Sequence, residues 1–468
     1  MTTTRPRTLG ELRESGYRTL PVREEMRKNL IAKLRSGEPI FPGVVGYENT
    51  VIPQVENAIL SGQDIIFLGE RGQAKTRMAR GLVNLLDEEV PVVAGSEIND
   101  DPFAPISRYA KDLIAERGDD TPIAWIRREN RYAEKLATPD TTIADLIGEV
   151  DPIKVAEGRY LSDEMTIHYG LIPRTNRGIF TINELPDLAE RIQVGLLNIM
   201  EERDVQIRGY RVRLPLDIYV VASANPEDYT NRGRIITPLK DRYGSQIRTH
   251  YPESIDLEVD IMEQERTVFS TDGIEVTVPL YMREIVAEIT HLARRSQDVS
   301  QRSGVSVRMS IANYENVVSN AVKRAIRLNE KQAVPRISDL RAAVASTTGK
   351  IELETMGDMS EDRVVDKLLQ GAVLATFNRY FSVRDFDDLV LGFENGLAVE
   401  TSDEMPSMSY VHQVSHMDGM REAATKLGAS GNPAALASAV EFVLEGLHLS
   451  RRINKDRLSG TTGTRYRG

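Results

Sequence analysis

Eight residues, GERGQAKT at 69–76, stand between an apolar run, DIIFL at 64–68, and an amphipathic stretch at 77–86. A glycine-rich turn that joins a strand directly to a helix lets the backbone fold tightly enough to aim N–H groups at one point, and the helix N-terminus adds its dipole. This is the context a phosphate-binding loop requires. In that reading Gly69, Glu70, Arg71, Gly72, Gln73 and Ala74 form the cradle. Lys75 neutralises β/γ-phosphate charge, Thr76 offers its hydroxyl to Mg²⁺, and Arg77 opens the helix. The usual pattern, G-x-x-x-x-G-K-[ST], has glycine where this chain has Ala74. Alanine there costs little if the residue keeps a negative φ.

Around this loop, short apolar runs alternate with amphipathic stretches, the texture of an α/β domain with a parallel sheet. The expected strands are 64–68, 91–94, 178–183, 216–224 and 245–250. Most are continuous apolar runs, as in strands buried on both faces. Residues 202–214, ERDVQIRGYRVRL, alternate on either side of Gly-Tyr and predict a β-hairpin carrying Arg208, Arg211 and Arg213. Residues 1–40 read as a charged helical extension. Residues 41–252 read as the α/β domain, with an insert at about 97–177. A helical lid is expected at 253–350 and a helical C-terminal region at 351–450. The tail at 451–468 holds six Lys/Arg and one Asp among Gly and Thr, and predicts disorder.

Three further motifs are suited to hydrolysis at the loop. GIFTINE at 178–184 is a strand ending in Asn183–Glu184. Glu184 is placed to polarise a water as general base. Asn183 retains a carbonyl oxygen that can orient a magnesium-bound water, but it lacks charge. VVASANP at 220–226 ends a second buried strand at Asn225, which would hydrogen-bond the attacking water. LKDRYG at 239–244 offers Arg242 to charge on a transferring phosphoryl group. Arg308, at the start of a predicted helix, faces an unfavourable dipole and so calls for an anionic partner.

Composition narrows the class. The chain of 468 residues has no cysteine, which excludes disulfide scaffolds, zinc–cysteine sites, iron–sulfur clusters and thiol catalysis. No apolar stretch approaches the ~18 residues of a membrane span, and the N-terminus lacks a signal core. A cytoplasmic protein is expected. The net charge of −11 argues against a general nucleic-acid coat.

Taken in series, FPGVVGYENT, GERGQAKT, GLIPRTNRGIFTINE, LLNIMEERDVQIRGYRVRLP, VVASANP, LKDRYG and VSVRMS resemble the AAA+ ATPases. The resemblance is to the clade of the magnesium-chelatase ATPase subunit and the MoxR-type ATPases, over residues 41–350. It implies a P-loop AAA+ parallel sheet flanked by helices, with a β-hairpin insertion, an all-α lid and a helical C-terminal region. It implies ATP and Mg²⁺ as ligands, with Val45 and Gly46 near adenine. Asn183 and Glu184 become the acidic-strand pair, departing at Asn183. Asn225 is sensor 1, Arg242 an arginine finger acting on a neighbouring subunit, and Arg308 sensor 2. A homo-oligomeric ring, usually a hexamer, is implied, as is a partner with a von Willebrand A-type domain.

Other readings stay open. A MoxR-type chaperone for metalloenzyme assembly is the nearest alternative. A sigma-54-type activator would carry a GAFTGA-like loop, which is absent, although helices flanking GASGNP at 428–433 keep a DNA-binding version alive. A non-hydrolysing ATP-binding scaffold is motivated by Asn183. His412 and His416 have metal-ligand spacing but no third ligand nearby, so a bland role is expected. Trp125 is expected to anchor the insert.

Overall fold

The computed structural model describes residues 5–150, 166–202, 204–206, 213–225, 233–268, 273–301, 304–353, 360–458 and 463–468. The chain divides into two compact units, Met1–His250 and Tyr251–Gly468.

The first unit is built on five parallel strands: β1 (Ile65–Leu68), β2 (Tyr132–Leu136), β3 (Gly178–Asn183), β4 (Ile218–Ala224) and β5 (Ser245–Arg248), in the order β5-β1-β4-β3-β2. Successive residues of a strand point to opposite faces. Accordingly Ile65, Phe67, Ile179, Tyr219, Val221 and Ile247 enter one core, and Ile66, Phe180, Ile182, Val220 and Ala222 enter a second. Both faces are covered, which is why the central strands read as unbroken apolar runs.

Two expectations about this sheet are corrected. The run at 91–94 belongs to a strand, Glu89–Val93, that pairs antiparallel with Ile123–Arg127 in a separate ribbon. The place beside β3 is taken by β2, YAEKL, from within the expected insert. An edge strand needs only one buried flank, so it carries none of the apolar density that marks its neighbours. The remaining insert includes a helix, Arg108–Arg117, and a ribbon pairing Gly148–Val150 with Ile167–Tyr169.

The N-terminal segment is part of the core. In the helix Val22–Ser36, Val22, Met26 and Leu30 are fully buried with Ile65 and Phe67. Glu25 on that helix accepts from Arg131 through Nη1 (2.7 Å) and Nη2 (2.6 Å), and both side chains are buried. Trp125 donates Nε1–H to the Pro6 carbonyl (3.0 Å) under the Arg5 guanidinium, 4.5 Å from the ring centroid. The ring thus ties the ribbon to the N-terminal stretch of chain. The expected hairpin pairs Asp204–Gln206 with Arg213–Pro215. Its tip, with Arg208 and Arg211, lies outside the described residues, as does Pro226.

The second unit is mainly helical. Helices Ile255–Glu265, Leu280–Arg295, Val307–Arg327, Glu361–Tyr380 and Pro433–Leu449 share one core, so residues from the expected lid and from the C-terminal region pack together. Tyr281 stacks on Phe442 with centroids 4.7 Å apart. The expected disorder is corrected for the described part of 451–468: Asn454–Arg457 and Thr464–Arg467 form an antiparallel sheet with Ala398–Thr401. Alternation explains this. Arg465 and Arg467 flank Tyr466, whose buried ring donates its hydroxyl to Glu445 (2.5 Å). Composition averages over that two-residue period and so conceals it. Among the described residues, no helix is long and apolar enough to cross a membrane.

Candidate active site

The loop after β1 is locked by its own side chains. Gln73 Oε1 accepts the Glu70 N–H (3.0 Å) and the Thr249 hydroxyl (2.6 Å). A Cβ at Gly69 would overlap both Gln73 Oε1 and Thr249 Oγ1, so close approach requires glycine there. The Tyr47 hydroxyl donates to the carbonyls of Gln73 (3.1 Å) and His250 (2.7 Å), which places Val45 and Gly46 next to a residue bonded to the loop. Burial pushes the Tyr47 phenol further above neutral pH, where it is in any case protonated and able to donate.

Ala74 departs from expectation. Its φ is +55°, in the left-handed region, so the alanine is strained where the usual pattern has glycine. Lys75 then opens the helix Lys75–Gly81 with its side chain buried. Its ammonium donates to the carbonyls of Gly69 (2.5 Å) and Glu70 (2.7 Å) and to Asn225 Oδ1 (2.7 Å). Asn225 passes the contact on, donating Nδ2–H to Glu184 Oε2 (2.5 Å). Three motifs spread over 150 positions in sequence thus meet in one chain of hydrogen bonds, Lys75–Asn225–Glu184. The reason is topological: β1, β4 and β3 are adjacent and parallel, so their C-terminal ends meet. Glu184 itself has φ +56°, a turn out of β3 that a non-glycine residue adopts only under constraint.

Asn183 is buried beside this chain of hydrogen bonds and bonds to other groups. Its Oδ1 accepts the Ser223 hydroxyl (3.1 Å), and its Nδ2 donates to Glu134 Oε1 (2.8 Å). Glu134, on β2, also accepts from Arg80 Nε (2.7 Å), Arg80 Nη2 (2.8 Å) and the Tyr132 hydroxyl (3.0 Å). The bonds from Arg80 lead in holding its carboxyl below the usual range, against partial burial. Glu134, Arg80 and Tyr132 were missed by sequence reasoning, because YAEKL carries no motif and its position beside β3 is a tertiary fact.

No family model matches the chain, and no curated protein matches it. Solved structures similar to it include a complex of the BchI and BchD subunits of magnesium chelatase (18% identity, 70% of this chain and 98% of that one, TM-score 0.36). Others are Hsp104 with ATPγS and casein (13%, 69% and 52%, TM-score 0.40) and NtrX of Brucella abortus with ADP (14%, 86% and 72%, TM-score 0.37). Likeness at this level carries no functional weight.

The remaining expected residues lie elsewhere. Thr76 is half-buried, while Arg71 and Arg77 are exposed on the loop and helix. Arg242 ends the helix Thr237–Arg242 and pairs with Glu201 (2.7 Å) and Asp241 (3.3 Å), outside the Lys75 chain of bonds. Arg308 is in the second unit, exposed, at the start of Val307–Arg327, where its N–H is capped by Ser306 (3.1 Å). No group of three or more His, Cys, Asp or Glu suited to a metal is found among the described residues, His412 and His416 included.

Proposed function

We propose that the chain is an AAA+ ATPase: it binds ATP with Mg²⁺ on the loop at 69–76 and hydrolyses it with Glu184 as general base. The observation that carries this reading is the bond chain from the buried Lys75 ammonium through Asn225 to Glu184. A charge-bearing lysine held by loop carbonyls is matched to phosphate oxygens, for which those carbonyls are weak stand-ins. Asn225 fixes the distance between that cation and the base, so a water activated by Glu184 is presented on the phosphate side.

The donor set fits magnesium. Thr76 would offer its hydroxyl and Asn183 its amide oxygen through water, hard oxygen ligands of the kind Mg²⁺ takes. When bound, the ion neutralises charge on the phosphates. Arg242 is proposed to act on the nucleotide of a neighbouring subunit in a homo-oligomeric ring, usually a hexamer in the family it resembles. Arg308 is retained as a second phosphate sensor by that resemblance. The work done is remodelling of a partner in the cytoplasm, as in the magnesium-chelatase ATPase subunit or a MoxR-type chaperone, with a von Willebrand A-type protein as the proposed partner. The DNA-reading alternative loses one of the two helices that motivated it, because Pro433–Leu449 buries Ala437 through Leu447 and has no face left for a groove.

The test is ATP turnover beside nucleotide binding. Lys75→Ala is expected to lose binding. Glu184→Gln and Arg242→Ala are expected to bind and not turn over. Turnover persisting in Glu184→Gln would refute the assignment of the base, and binding without turnover in the natural chain would favour the scaffold.

A further inference from the structure

We propose that Glu134 is a positioning residue that sets the orientation of the Asn183 amide: it holds the nitrogen at the edge strand β2 and leaves the carbonyl oxygen toward Ser223 on β4, the strand beside β1 and its loop, as the end offered to a magnesium-bound water. This rests on the ATPase reading above. The family it resembles has an acidic residue at this strand position, and the two oxygens of a carboxylate are equivalent, so its orientation needs no control. An asparagine has two unlike ends. Turned one way it offers an oxygen to a magnesium-bound water, and turned the other way it offers an N–H₂ group that repels the ion.

The geometry decides between the two. A carboxylate accepts hydrogen bonds and cannot donate, so the end of Asn183 that lies 2.8 Å from Glu134 Oε1 is Nδ2. The opposite end is then Oδ1, where the Ser223 hydroxyl donates (3.1 Å). Each oxygen of Glu134 already has two donors: Oε1 has Asn183 and Arg80 Nη2, and Oε2 has Arg80 Nε and the Tyr132 hydroxyl. A carboxylate so saturated is not itself a magnesium ligand. It is a fixed template held by three neighbouring groups. Arg80 lies one helical turn beyond Thr76 on the same face of Lys75–Gly81, so the template is anchored to the element that carries the other proposed magnesium-side oxygen. The bond to Asn183 is charge-assisted, and such bonds are about twice as strong as neutral ones.

The experiment measures binding of a fluorescent ATP analogue to the full chain, with Mg²⁺ and with EDTA, in the natural protein, Glu134→Gln, Asn183→Asp and the double variant. Glu134→Gln is expected to lose about tenfold of the Mg²⁺-dependent gain in affinity, with affinity in EDTA unchanged, since a neutral amide can face either end of Asn183. Asn183→Asp sets two carboxylates against each other and is expected to lower affinity in Mg²⁺. In the double variant the amide introduced at position 134 can donate to the carboxylate introduced at position 183, and the lost affinity is expected to return. Equal losses with and without Mg²⁺, no change in Glu134→Gln, or no recovery in the double variant would each overturn the proposal. If Glu134→Gln fails to fold, the comparison of Asn183→Asp with the double variant still decides it. Absence of nucleotide binding in the natural chain would sink the ATPase reading along with it, whereas Mg²⁺-dependent binding that is indifferent to residue 134 would sink this inference alone.

Discussion

Replacing Ala74 by glycine should stabilise the first unit, although it removes a methyl group. The strain of holding an L-residue in the left-handed region, where Ala74 sits at φ +55°, is about 1–2 kcal/mol. Two terms oppose the gain. Glycine adds about 0.4–1 kcal/mol of unfolded-chain entropy. The Ala74 methyl is partly buried against the core that contains Met78 and Ala79, and half of a buried methylene is worth about 0.4 kcal/mol. The balance is a gain of about 0.5 kcal/mol. Ala74→Val moves the other way, since a β-branched side chain is a genuine outlier at positive φ, and should cost about 1 kcal/mol or more. The chain has a single tryptophan, Trp125, in the first unit. Its fluorescence during urea unfolding therefore reports that unit, and midpoints compared at constant m-value give the differences. The expected order, from most to least stable, is Ala74→Gly, the natural chain, Ala74→Val. A glycine variant weaker than the natural chain by about 1 kcal/mol, or a valine variant as stable as it, would refute the strain argument.

Two further outcomes test buried charged groups, one in each unit. Glu25→Ala should destabilise the first unit by about 3–5 kcal/mol in the same urea assay, because it leaves the fully buried Arg131 guanidinium without its carboxylate; a loss below about 1 kcal/mol, the range of an exposed pair, would mean the pair is not buried in solution. Glu258, fully buried in the second unit, has a carboxyl held below its usual value of 4.5: burial opposes this, but bonds from His291, Arg294 and Ser310 outweigh it. A depressed carboxyl contributes stability that is present above pH 4.5 and lost as pH falls through its folded value. Thermal unfolding of the second unit in Glu258→Gln should accordingly show a flatter acid limb than the natural chain, and an unchanged limb would exclude Glu258 as its source.

Much of the site was legible in the residues because its motifs are local. The loop GERGQAKT needs only its flanking strand and helix to be read, and Glu184 and Asn225 sit at the ends of apolar runs that announce themselves as buried strands. The errors came where local pattern is silent. The run at 91–94 has the apolarity of a central strand yet pairs in a side ribbon, while YAEKL, with two charges in five residues, lies at the sheet edge. Charge composition hid Tyr466 and with it the order of the C-terminal strands.

By itself the sequence determined the α/β class, the glycine-rich loop between strand and helix, and the strand end at Asn183–Glu184, since each follows from contiguous residues and their periodicity. Tertiary structure alone decided what those residues touch. The adjacency of β1, β4 and β3 joins Lys75, Asn225 and Glu184, and the placement of β2 brings Glu134 against Asn183. The left-handed φ of Ala74 belongs to the same category. Hydrogen bonds between side chains, and the backbone angles that aim them, depend on which strands the fold sets side by side, and strand order is a property of the whole sheet, not of any segment in it.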